Sequence, residues 1–340
     1  MRTPPRSDRR PYTTTSFLAP IALTASAFAG GIAVAKALSR QMNSVTPKAP
    51  SSGRPNPVTA ARAAWGNEHT QIESTLRDAL DNDQLAVEYQ PVVDLSTGQV
   101  RSVEALIRWP GRPDVGAAKL IAIAEASDLI HDIGAWVMRR AFRDVAQLNA
   151  ARAAHPPVGI AVNVSGRQLA EPTFVNEVHA LLAAFAIEPR LVTIEVTETA
   201  LAREPETATR TLATLRELGL HIDVDDFGLG YSALARIGQL PIDGLKIDHS
   251  YVRTLGIEDS AEKVVAAIVA LAAALGMQIT AEGVESETQL RMLRALGCHL
   301  AQGFLFSRSI QIQEIEGFLI DAGTHRSVNA ADFAIDLVAR

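Results

Sequence analysis

From about Trp65 to about Gly323 the chain repeats one pattern, a short apolar run followed by a longer stretch of helical period. Leu85–Val93, Val100–Trp109, Val158–Val164, Leu191–Val196, His221–Val224, Gly244–Ile247, Gln278–Thr280 and His299–Gln302 read as strands. Ile130–Arg152, Glu206–Glu217, Ala261–Leu275 and Thr288–Ala295 carry the helical spacing between them. About eight strands alternating with helices over roughly 250 residues predict an α/β chain folded as a TIM-like (β/α)8 barrel. A doubly wound open sheet is the alternative topology, but no Gly-rich dinucleotide fingerprint supports it.

Polar residues stand in or at the end of these apolar runs. Glu104 lies in Ser-Val-Glu-Ala-Leu, Asn163 in Ala-Val-Asn-Val-Ser and Glu195 in Thr-Ile-Glu-Val-Thr-Glu. Asp225 and Asp226 close His-Ile-Asp-Val-Asp-Asp-Phe, and Lys246 stands in Gly-Leu-Lys-Ile-Asp. Glu282 follows Ile-Thr-Ala, and Gln302 follows Leu-Ala. In a βα barrel the C-terminal strand ends share one face, so these side chains converge there. Singly, each has a structural explanation: an ion pair for Glu104, a turn for Asn163, a helix cap for Asp225-Asp226, a barrel-interior salt bridge for Lys246. As a set they place five carboxylates against one ammonium, an excess that is costly to bury uncompensated. Two divalent cations balance it. Oxygen ligands without Cys or His suit Mg²⁺ or Mn²⁺ rather than Zn²⁺, and adjacent aspartates suit a bridged pair of metals acting on a phosphate.

A net charge of −6 argues against a general nucleic-acid binder. Cys298 is the single cysteine, so no intrachain disulfide forms. The first residues differ from the rest. Arg2, Arg6, Arg9 and Arg10 precede a run from Phe17 to Ala35 without charge, which Lys36 and Arg40 follow. Residues 17–35 read as a membrane anchor, as a signal peptide with Ala-Val-Ala at 33–35 as its cleavage site, or as a plain leader. Positive charge on both sides leaves the orientation open. Residues 41–60, rich in Pro and Ser, read as a linker. The expected organisation is therefore a leader over 1–64, one domain over 65–323 and a tail over 324–340.

The motifs together resemble the EAL domain, the cyclic diguanylate phosphodiesterase family. Glu104-Ala105-Leu106 is its signature tripeptide, with Glu88-Tyr89-Gln90-Pro91 before it and Arg108-Trp109 after it. Further matches are Ala124-Glu125, Asn163-Val164-Ser165, Glu195-Val196-Thr197-Glu198, Asp225-Asp226-Phe227-Gly228-Leu229-Gly230-Tyr231-Ser232, Leu245-Lys246-Ile247-Asp248, Ala281-Glu282-Gly283-Val284-Glu285 and Gln302-Gly303-Phe304. They run in order from about Leu85 to about Ile310.

The resemblance implies a barrel whose first strand is antiparallel to the others. It implies opening of cyclic diguanylate (c-di-GMP) to linear pGpG with two Mg²⁺ or Mn²⁺ ions. By position, Glu104, Asn163, Glu195 and Asp225 look like ligands of one metal, and Asp225 and Asp226 of the second. Lys246 would orient the water, Glu282 resembles the general base or a second-metal ligand, and Gln302 would help place that water or metal. Gln90 and Arg108 resemble substrate-contacting positions, Arg108 through its planar donors. Glu198 resembles the glutamate that braces the Asp-Asp-Phe-Gly loop, which couples the site to a homodimer interface in the family. Three positions depart from the pattern: Leu229 where Thr is frequent, and Ala122 and Ser309 where Pro is common. A binding module that holds c-di-GMP without cutting it is the rival function, and a phosphodiesterase of another substrate is a third. Because the messenger is cytosolic, the catalytic domain is expected in the cytoplasm, anchored to the inner membrane if 17–35 spans it.

Overall fold

A computed structural model describes residues 70–203, 205–228 and 237–324. The leader, the 17–35 segment, the linker, the loop over 229–236 and the tail beyond 324 lie outside the described residues. Eight strands close a barrel in sequence order: β1 (Ala86–Asp94), β2 (Val100–Arg108), β3 (Gly159–Asn163), β4 (Val192–Thr197), β5 (His221–Phe227), β6 (Gly244–Ile247), β7 (Gln278–Ala281) and β8 (Leu300–Ala301). Closure excludes the open doubly wound sheet. β1 runs antiparallel to both β2 and β8, and all other pairs are parallel. The strands match the apolar runs to within a few residues, since the runs are buried where they pair. The longest correction is β5, which continues through Asp225 and Asp226 to Phe227.

Helices cover the barrel. The one at Leu129–Ala151 buries Ile133, Met138, Ala141, Phe142, Val145 and Leu148 on a single stripe. Its Asp144 accepts a hydrogen bond from the Tyr89 hydroxyl at 2.8 Å, and Arg140 and Arg143 flank the carboxylate at 3.2 and 3.0 Å. Tyr89 is fully buried. A charge-assisted bond of this kind contributes about 1.5–3 kcal/mol, and here it ties the reversed strand β1 to the helical layer. A second apolar cluster, including Ile72, Leu76, Leu85, Ile107, Trp109, Leu120 and Ile123, seats the helix at 70–81 and the helix Ala117–Ala126. No helix among the described residues is long and apolar enough to cross a membrane.

Sharp local devices end several strands at the mouth. Ser165 caps Gly166–Ala170 and Ser286 caps Glu287–Leu296, each in a reciprocal capping box with a glutamine three residues on. Past β8, Gly303 has φ of 157°, and a Cβ there would lie 2.2 Å from the backbone N and O of Val284. Those backbones are bonded, with Val284 N–H donating to Gln302 O at 3.0 Å. Gly303→Ala is therefore expected to force them apart, at a cost of about 2–3 kcal/mol. A urea midpoint equal to that of the parent chain would contradict this.

Candidate active site

Lys246 rises from β6 into the barrel interior and is 1% exposed. Its Nζ lies 2.6 Å from Glu282 Oε1, 2.9 Å from Glu195 Oε2, 3.4 Å from Asp225 Oδ1 and 3.6 Å from Glu104 Oε2. Four strands thus deliver carboxylates to one ammonium. Glu104 is held by two amides: Asn163 Nδ2 donates to Oε1 at 2.7 Å and Gln302 Nε2 to Oε2 at 2.6 Å. Gln302 Nε2 also donates to Gln90 Oε1 at 2.9 Å, across the β1–β2 register that sets Gln90 opposite Glu104.

Neighbouring residues of a strand ordinarily face opposite sides. Asp225 and Asp226 escape that alternation. Asp226 has φ of 54°, its amide donates to Asp225 Oδ1 at 2.9 Å, and the β5–β6 register shifts between Val224 and Phe227. Aspartate is among the side chains that tolerate this left-handed conformation. Asp225, Asp226 and Glu282 each offer a carboxylate oxygen, all within 4.8 Å of one another.

The site holds more negative charge than its lysine balances. Burial and repulsion from Glu104 push Glu195 well above the usual carboxylate range. Burial, with Asp225 and Glu104 beside it, lifts Glu282 to about 8 despite Lys246. Burial, with Asp225 and Asp248 nearby, lifts Asp226 to about 6. Glu104 goes the other way, because Lys246 and its two amide donors outweigh burial. Glu195 Oε2 and Gln302 Oε1 are buried without a hydrogen-bond partner; the 2.9 Å contact of Glu195 with Lys246 is an ion pair lacking hydrogen-bond geometry. Oxygen donors, excess charge and orphaned acceptors fit a hard divalent cation.

A stability consequence follows for the metal-free protein. Asp226 and Glu282 bind protons more tightly folded than unfolded, so the stability they contribute is present at low pH. It is lost as pH rises through about 6 and about 8. In chelator the melting temperature should fall between about pH 5 and about pH 9, and Mn²⁺ should flatten that slope by replacing the protons. A level profile in chelator would contradict the assignment of buried excess charge.

Two cavities meet at these carboxylates. One, of about 400 Å³, is lined by Gln90, Glu104, Asp225, His249, Glu282 and Gln302, with the half-exposed Phe304 at its edge. The other, of about 320 Å³, is largely apolar, with Leu106, Ile121 and Ile133 facing Asn163, Asp225 and Asp226.

Two expected site residues stand apart. Arg108 lines neither cavity. It lies on the Glu104–Leu106 face of β2, where Nε donates to Glu88 Oε2 at 2.8 Å, Nη2 to Ser309 Oγ at 2.7 Å and Nη1 to Ile107 O at 2.9 Å. Ser309 Oγ donates in turn to Glu88 Oε2 at 2.7 Å. Ser309 reaches this point because Ile310 and Tyr89 exchange backbone hydrogen bonds of 2.7 and 2.9 Å. Glu198 is buried at the start of the helix Glu198–Arg203; most of the loop it was expected to brace lies outside the described residues. Sequence reasoning assigned no part to Glu88, Ser309 or His249. Ser309 was visible as a departure from Pro, and His249 as the residue after Lys246-Ile247-Asp248.

The EAL domain family profile matches residues 73–309. The chain belongs to the EAL domain family. Among curated relatives, it is 39% identical over 254 residues to the cyclic di-GMP phosphodiesterase NbdA of Pseudomonas aeruginosa, covering 74% of this chain and 32% of that protein. It is 38% identical over 243 residues to the cyclic di-GMP phosphodiesterase PdeR of Escherichia coli, covering 71% of this chain and 36% of that one. The chain thus spans about a third of the length of these relatives. Among solved structures, the PaMucR phosphodiesterase in complex with c-di-GMP has a TM-score of 0.67 at 37% identity, covering 72% of this chain and 99% of that one. A manganese and cyclic diguanylate complex of Klebsiella pneumoniae BlrP1 has a TM-score of 0.59 at 30% identity, covering 67% and 56%.

Proposed function

We propose that this EAL domain hydrolyses c-di-GMP to linear pGpG with two divalent cations, Mg²⁺ or Mn²⁺. The observation that carries the reading is the cluster around Lys246. Glu104, Glu195, Asp225 and Glu282 all face that one ammonium, with Asp226 folded back beside Asp225. The names of the two phosphodiesterase relatives and the c-di-GMP complex of a structural neighbour support the substrate. The manganese of another neighbour supports the metal class.

Glu104, Asn163, Glu195 and Asp225 would hold one cation, and Asp225 and Asp226 the other, with Glu282 beside it. When bound, such a pair acidifies water and neutralises charge that grows on the phosphate oxygens. The chain's own groups do the rest. Lys246, fixed by its carboxylates, donates to the attacking water and orients it. Glu282, which faces Lys246 and lies close to Asp225 and Asp226, would accept the proton that the water gives up. Gln302 keeps Glu104 in place through Nε2 and offers the unpartnered Oε1 to the water. Gln90 faces the substrate from β1. Arg108 keeps one N–H on each terminal nitrogen after its three bonds, a fork suited to a phosphate above the mouth. Fixed charges of this kind act mainly on the transition state.

Reaction in oxygen-18 water, followed by mass spectrometry, tests the chemistry. Attack at phosphorus places the label in the 5′-phosphate of pGpG; label on the ribose hydroxyl, or none in the product, would overturn it. The reading extends to a homodimer, with the domain in the cytoplasm and 17–35 anchoring it at the inner membrane. Light scattering checks the first, and a C-terminal reporter that registered a periplasmic location would overturn the second.

A further inference from the structure

His249 opens the helix His249–Arg253, directly after the end of β6. The residue before it, Asp248, is 2% exposed and caps that helix by accepting from the Ser250 amide at 2.9 Å. Its other oxygen lies 3.0 Å from His249 Nδ1. The oxygen that takes the Ser250 amide also accepts from the Ser250 hydroxyl. With one oxygen taken by the two Ser250 donors and the other set against Nδ1, the geometry assigns the Nδ1 hydrogen to Asp248 and leaves Nε2 as the end that faces away from it. The imidazole side chain is 63% exposed and lines the 400 Å³ cavity together with Asp225 and Glu282. Glycine at 283 is what admits it. Gly283 has φ of 67°, and a Cβ there would lie 2.6 Å from His249 Cβ. The imidazole thus stands beside the backbone that follows Glu282, oriented from below by a buried carboxylate.

The hydrolysis reading, on which this inference rests, leaves one proton unassigned. A ribose 3′-oxygen is a poor leaving group as the free alkoxide and ends as a hydroxyl, so a proton must reach it. Lys246 is already assigned to the attacking water, which approaches phosphorus opposite the leaving oxygen, and its ammonium is held there by four carboxylates. Among the described residues, the other polar side chains lining this cavity are carboxylates and amides.

We propose that His249 is the proton donor to the leaving 3′-oxygen, oriented by Asp248. The water oxygen forms its bond to phosphorus and gives a proton to Glu282. The P–O3′ bond breaks with its electron pair on O3′. Acting as the imidazolium, with its Nδ1–H held by Asp248, His249 passes its Nε2 proton to that oxygen and becomes neutral, and the exposed ring then regains a proton from solvent.

The test compares two substrates on the full chain with Mn²⁺. c-di-GMP has an alkoxide leaving group that needs a proton. Bis(p-nitrophenyl) phosphate releases p-nitrophenolate, which does not. His249→Ala should lower kcat for c-di-GMP by about 10²-fold while bis(p-nitrophenyl) phosphate turnover stays within about threefold of the parent chain. Added imidazole should restore part of the lost rate. His249→Gln, which keeps a polar side chain but cannot act as an acid, should behave like His249→Ala. Equal losses on both substrates would mean that His249 only shapes the site, and unchanged c-di-GMP turnover would make it a bystander; either result overturns the inference. A parent chain that cleaves neither substrate would instead remove the hydrolysis reading itself.

Discussion

Lys246→Met is expected to destabilise the metal-free protein by about 3–5 kcal/mol at pH 8, because it removes an ammonium from a buried group of carboxylates. Four of them lie within 3.6 Å of Nζ. The loss should shrink toward pH 5, where Glu195, Glu282 and Asp226, already pushed upward in the parent chain, take up protons instead. Mn²⁺ should recover part of the stability at pH 8 but not the rate, since the donor to the attacking water is gone. Turnover is expected to fall by about 10²–10³-fold. Urea titrations at two pH values, with and without Mn²⁺, check the pattern. A variant as stable as the parent in chelator at pH 8 would mean that the carboxylates do not depend on this ammonium.

Glu104→Ala is expected to abolish turnover with the opposite electrostatic signature. It deletes a negative charge from the same cluster, so the stability of the metal-free protein should become less dependent on pH. It also leaves Asn163 Nδ2 and one bond of Gln302 Nε2 without their acceptor, at 2.7 and 2.6 Å in the parent chain. Affinity for Mn²⁺ should weaken by at least about 10²-fold, the scale at which even supporting groups around a metal act. Calorimetric titration with Mn²⁺ reads the affinity, and chromatography of c-di-GMP reactions reads the rate. Near-normal turnover would remove Glu104 from the metal site. The two substitutions together separate a cluster organised by charge from one held merely by packing.

Much of this site was legible because barrel topology converts strand ends into one surface. Glu104, Glu195, Lys246 and Glu282 sit at or near the ends of apolar runs, and the closed barrel brings them together. The structural reading of Lys246 as an interior ion pair and its functional reading are both compatible with its four contacts. The antiparallel β1 came only through family resemblance, since apolar runs carry no direction. The helices Ala117–Ala126 and Phe174–Phe185 were not read as such; both are rich in alanine and other apolar residues with little polar contrast, which blurs a 3.6-residue period. The turn at Asp226 depends on one left-handed residue that periodicity cannot signal. What holds Arg108 in place is Glu88 across the β1–β2 pair and Ser309, which arrives 201 residues later in the chain. Such a contact is a product of closure. No spacing rule encodes it.

The proposed role of the carboxylates around Lys246 is a metal-dependent hydrolytic site for c-di-GMP. The most direct test incubates the purified chain with c-di-GMP and Mn²⁺ or Mg²⁺, with a chelator-treated sample in parallel, and separates the nucleotides by chromatography. Linear pGpG is expected to accumulate with either metal and to stop with chelator. Intact c-di-GMP in the presence of both metals, with the nucleotide still bound, would contradict it and identify the barrel as a receptor.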